Sequence, residues 1–130
     1  MIKIIAHTGT ELYKTEIKLA NHTIISDEPE SSGGKDLGFE PKELLASSLA
    51  ACTSITIRMY ANRKGWDLTD VKVEITFDTD PAENKFKIIR NIQFFGDLDN
   101  DQKARLLNIA DKCPIHKILT NPIEITTELN

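Results

Sequence analysis

At 130 residues, 40% of them hydrophobic, the chain is sized for one domain around an ordinary core. Its formal net charge is −4, with lysines and arginines scattered rather than blocked, which excludes the basic footprint of a nucleic-acid binder. The opening MIKIIAHTGTELYK carries no apolar core long enough for a signal peptide, and no stretch approaches the roughly 20 apolar residues of a membrane helix, so a cytoplasmic protein with no membrane partner is expected.

In chain order, Ile2, Ile4 and Ala6 alternate, and then Tyr13, Thr15, Ile17 and Leu19, as strands with one buried face do. LANHTII, from Leu19 to Ile25, reads as a hairpin turn, since Asn and His tolerate positive φ, so a strand pair or three-stranded meander opens the fold. Residues 27 to 40, DEPESSGGKDLGFE, form a connection well beyond the usual length of about four to six, which marks it as functional or mobile, a lid being one option.

A helix from Pro41 to Lys64 follows. Glu40 stands at its N-cap, Pro41 supplies the fixed φ of a first helical residue, and Phe39 and Leu44 are spaced as a hydrophobic staple. Glu43 favours the helix start, while Arg63 and Lys64 precede the stop at Gly65. The rod is about 36 Å long. Leu45, Leu49, Cys52, Thr56 and Met59 fall on one stripe, which turns Cys52 inward, and Ser48 and Ile55 lie beside it. Ala46, Ser47, Ala50, Ala51, Thr53 and Ser54 surround the stripe with small side chains, so close packing on more than one side is expected.

Val71, Val73, Ile75 and Phe77 alternate with polar residues as a half-buried strand, turned by Asp80, Pro81 and Asn84. Its partner places Phe86, Ile88, Ile92 and Phe94 on one face, interrupted by Arg90. Asp99 and Gln102 have capping-box spacing ahead of a helix whose apolar side is Leu106, Leu107 and Ala110. Pro114 starts a short further helix with Cys113 as its cap, and Ile123, Ile125, Thr127 and Leu129 alternate as a closing strand.

The chemistry-bearing residues are the two cysteines, either inert buried thiols or a redox or metal pair. Cys52, mid-helix, gains nothing from its own helix dipole, so an outside group has to favour its thiolate. Arg90 is the candidate, the bland reading being an arginine near the sheet edge that reaches out to water. Cys113, at a helix start, is locally the easier thiol to ionise, and His116 lies one turn on. A metal site would need Cys52, Cys113 and His116 joined by His7 or His22, a weak pattern. A redox pair needs no cofactor, only an external reductant and a Cα separation of about 4.4 to 6.8 Å.

Together, EPKELLASSLAACTS and CPIHKIL resemble the OsmC and organic hydroperoxide resistance superfamily, over nearly the whole chain. The resemblance implies an α+β fold, with antiparallel sheets packed on a long central helix, in an intertwined homodimer. It implies Cys52 as peroxidatic cysteine, Cys113 as resolving cysteine, organic hydroperoxides as substrates, fatty-acid ones included, and a dithiol such as a lipoyl group as reductant. The sequence departs from the hydroperoxide resistance branch in two places. Lys42 stands where that branch has an activating glutamate, with Glu43 about 100° further round the helix, and no arginine precedes Arg58. In these respects the chain resembles the OsmC-like branch more closely, which leaves Glu43, Arg90 or Lys42 as replacement activators. The alternative function is a non-catalytic dimer holding an apolar small molecule beside the long helix.

Overall fold

The chain is described as a computed structural model covering residues 2–130, and it groups into two compact units, one up to Leu45 and one from Ala46 to Asn130. In the first, β1 (Ile5–Thr8), β2 (Thr15–Leu19) and β3 (His22–Ser26) form the expected antiparallel meander, with Ala6 opposite Ile17 and Ile17 opposite Ile24. Ile2, Ile4 and Tyr13 fall outside these strands. The tight β2–β3 turn places its positive φ, 52°, on Ala20 rather than on Asn21 or His22.

Residues 27 to 40 are held, not loose. The buried Asp27 carboxylate accepts the backbone N–H groups of Glu28 (2.8 Å), Tyr13 (3.1 Å), Leu37 (3.2 Å) and Lys35 (3.3 Å). Burial works against the charge, but the four N–H bonds outweigh it and keep the carboxyl below its ordinary value of 3.8. Ser26 Oγ donates to the Phe39 carbonyl at 2.7 Å and closes the connection on itself.

Helix α1 (Pro41–Lys64) begins and ends where its caps dictate. The Glu40 N–H donates to Glu43 Oε1 at 2.9 Å. At the far end Gly65, φ 69°, permits the paired bonds Trp66 N–H to Ala61 O and Gly65 N–H to Asn62 O, a Schellman stop. The face of the helix differs from the expected one. Its buried residues are Ala46, Leu49, Thr53, Ile57, Tyr60 and Ala61, so the stripe is rotated by about one residue, or 100°. Leu45, Ile55 and Met59 are exposed, and Cys52 is half-buried rather than inward. α1 also corrects the expectation about apolar stretches: by length and composition it is long and apolar enough to cross a membrane, although its inner stripe is packed in the second unit as in a core helix.

In the second unit β4 (Asp67–Asp80) and β5 (Lys85–Asp97) make one long antiparallel ribbon, with a bulge between Leu68 and Asp70. The turn is tied by Asp80 Oδ1, which accepts from Ala82 N–H at 3.0 Å, and Asn84 takes the positive φ. Val71, Ile92 and Phe94 of the ribbon and Trp66 pack against a core of Ile57, Tyr60, Ala61, Leu68, Leu98, Leu106, Ile109 and Ala110. Arg58 ties α1 to the bulge through the carbonyls of Leu68 (2.6 Å) and Thr69 (3.1 Å).

Helix α2 (Asn100–Ala110) carries the full capping box of Asp99 and Gln102. Its inner side is Leu106, Ile109 and Ala110, while Leu107 is exposed. Helix α3 (Pro114–Leu119) begins at Cys113 as expected. The closing strand does not form: residues 121 to 130 have no ladder partner among the described residues, and Ile123, Ile125 and Leu129 are exposed. A strand is defined by its partner's hydrogen bonds, and alternation alone supplies none.

Candidate functional site

The polar centre of the second unit is built around Arg90. It sits mid-ribbon on β5, opposite Ile75, on the same face as Ile88 and Ile92. That parity carries its side chain inward, where it is only 12% exposed, so it does not escape to water at the sheet edge. Nη1 donates to Thr53 Oγ1 at 2.9 Å and to the Ala110 carbonyl at 3.3 Å. Nη2 makes a 2.7 Å ion pair with Asp111 Oδ1 and stands 3.2 Å from His116 Nδ1. With Nδ1 accepting, the His116 ring carries its proton on Nε2. The arginine therefore ties α1 to both ends of the α2–α3 junction.

Cys113 occupies that junction. It is fully buried, and as the cap of α3 its Sγ accepts the His116 backbone N–H at 3.2 Å. Thr53 Oγ1 lies 3.9 Å from the same sulfur and 2.7 Å from the Leu49 carbonyl. Thr53 is itself fully buried and directly follows Cys52 on α1. The second cysteine is thus packed on the first cysteine's helix, one residue from it.

Of the four residues singled out from the sequence, Cys52, Arg90 and Cys113 lie in the second unit, where Thr53 is the link between the arginine and the buried sulfur. The hydrogen bonds and ion pair of Arg90 run to Thr53, Ala110, Asp111 and His116, not to Cys52. Glu43 lies in the first unit, where its carboxylate caps α1. Sequence reasoning missed Thr53 and Asp111. Thr53 was read as a small packing residue, although the spacing Leu49, Thr53, Ile57 places a hydroxyl on an apolar stripe, and that was the available signal. Asp111 had none, being one acid among many.

Beside the network is a cavity of about 250 Å³ with an apolar wall of Leu49, Phe86, Ile88 and Leu119 and a polar end of Arg90, His116 and Thr120. Among the described residues no three His, Cys, Asp or Glu side chains gather as a metal site would require.

Comparison with known proteins fits this architecture. The family model for OsmC-like proteins matches residues 33–128. The chain belongs to the OsmC-like protein family. Solved OsmC-like structures share its α+β fold. A Psychrobacter arcticus protein named for an osmotic stress and detoxification response is 27% identical, with a TM-score of 0.79 over 91% of this chain and 88% of that one. An organic hydroperoxide resistance protein of Legionella pneumophila is 25% identical, TM-score 0.68, over 92% and 89%. The organic hydroperoxide resistance protein OhrB of Bacillus subtilis, 21% identical, shares the fold with a TM-score of 0.63 over 92% and 90%. No curated protein matches this OsmC-like chain.

Proposed function

We propose that this OsmC-like protein is a thiol peroxidase that reduces organic hydroperoxides in oxidative stress defence. The observation that carries the reading is the seating of Cys113 Sγ against Thr53, the neighbour of Cys52, which supports a pair of sulfurs within reach of one disulfide. The Legionella relative's organic hydroperoxide resistance name supports the substrate class.

In the proposed cycle the Cys52 thiolate attacks the distal peroxide oxygen, the O–O bond breaks, and the alkoxide takes a proton and leaves as alcohol. Cys113 then attacks the sulfenic acid of Cys52, forming the disulfide and releasing water. An external dithiol returns both electrons, so the cycle uses no cofactor, and a reducing cytoplasm suits two free thiols. Arg90 is the candidate activator that bonds Thr53, the residue between the two cysteines, while Glu43 is occupied in capping α1. The working unit is proposed to be a homodimer, because Ile55 and Met59 share with Cys52 the exposed side of α1.

Thiol counting tests the reading. One equivalent of cumene hydroperoxide should remove two thiols and leave an intramolecular disulfide in a non-reducing mass measurement. Cys52→Ser should abolish peroxide consumption, and Cys113→Ser should drive Cys52 to sulfinic acid instead. If both variants consume peroxide like the parent, the assignment fails. No thiol loss in the parent favours the second reading, a binding protein using the apolar cavity beside α1.

A further inference from the structure

Arg90 was a candidate activator for Cys52, yet its bond to Thr53 leads to the other sulfur. Thr53 has one hydroxyl proton and two acceptors in reach, the Leu49 carbonyl at 2.7 Å and Cys113 Sγ at 3.9 Å. Arg90 Nη1 donates into the lone pairs of the same oxygen at 2.9 Å, which leaves the proton as the group Thr53 can offer. With a neutral thiol opposite, the carbonyl is the better acceptor. Once Cys113 carries negative charge, a rotation about one bond turns the hydroxyl onto it, because hydrogen bonds to a charged partner are the stronger ones. The His116 N–H already points at that sulfur, and the guanidinium lies one atom behind the hydroxyl. Thr53 and Cys113 are fully buried, so charge on that sulfur acts with little screening by water. Within the single chain Cys52 is half-buried and Cys113 fully buried.

We propose that Thr53, with Arg90 positioning it, stabilises Cys113 as the leaving thiolate when a dithiol opens the Cys52–Cys113 disulfide, which directs the dithiol to Cys52. The proposal rests on the reading above only for the existence of that disulfide. One thiolate of the dithiol attacks Cys52 Sγ, the S–S bond breaks, and its electron pair leaves on Cys113. The dithiol's second thiol then loses its proton, attacks its own sulfur in the mixed disulfide, and expels Cys52 as thiolate. Two electrons pass from the dithiol, which ends as a disulfide.

The test uses the full chain oxidised with diamide, so that it does not depend on peroxide. Opening is trapped with excess N-acetylcysteine, quenched with iodoacetamide and mapped by peptide mass. The adduct is expected on Cys52 with Cys113 alkylated. Thr53→Val, which keeps the shape and removes the hydroxyl, should slow reduction by dithiothreitol by about tenfold or more. Thr53→Ser should recover most of the parent rate, which a purely structural role for the side chain does not require. An adduct on Cys113, or a Thr53→Val protein reduced as fast as the parent, overturns the proposal. If diamide forms no intramolecular disulfide, this proposal and the peroxidase reading fall together. A disulfide formed by diamide but never by hydroperoxide sinks the peroxidase reading alone, and the adduct position still decides this one.

Discussion

Asp27 shows how one side chain can organise a long connection. Its four N–H donors come from Tyr13, Glu28, Lys35 and Leu37, and only one of these is a neighbour in sequence. Because the folded carboxyl is held below its ordinary 3.8, the stability it contributes is in place above the unfolded value and is lost as pH falls through the folded one. Asp27→Asn removes this dependence, so its urea midpoint should fall less steeply than the parent's below about pH 4. Parallel profiles would show that the carboxylate charge does not hold the segment. Little of this was legible beforehand: an acid in an acidic loop looks alike whether it is solvated or central. Arg90 was legible, because a cation in a row of Phe and Ile breaks a pattern. Its destination was not, since Thr53, Asp111 and the Ala110 carbonyl reach it only through tertiary folding.

At the scale of elements, Gly96 fixes the β4–β5 ribbon. It pairs with Leu68 beside the bulge at a φ of 129°, and a Cβ there would run into the Asp67 carbonyl. Gly96→Ala should therefore cost about 1–3 kcal/mol, read as a drop in the urea midpoint. A midpoint within error of the parent would mean that the bulge relaxes freely. Element boundaries were largely readable, because caps are local chemistry: Glu40 with Pro41, Gly65, Asp99 with Gln102, and Cys113 with Pro114 all act where they stand. The buried face of α1 was not. Leu45–Leu49–Cys52–Thr56–Met59 and Ala46–Leu49–Thr53–Ile57–Tyr60 obey the same spacing, and apolar or small residues run nearly all round this helix. Only the groups packed against it choose between them. The tail fails as a strand for a related reason, since Ile123 and Ile125 alternate correctly but meet no ladder within the described chain.

Across the whole molecule, apolar side chains outside the cores carry the argument for assembly. Ile55, Met59, Ile123, Ile125 and Leu129 are all exposed, and Cys52, Ile55 and Met59 share one helix side. The double variant Ile55→Glu/Met59→Glu should sediment as a monomer with parent-like helix content by circular dichroism, because neither residue belongs to the core of the second unit. A dimer persisting in that variant would place the interface elsewhere. The uncovered side of α1 also bears on how the protein would respond to dilution. If two copies bury it together, mass action makes the melting temperature rise with protein concentration, and a scarce chain would lose its fold and its sheltered sulfur chemistry over the same range.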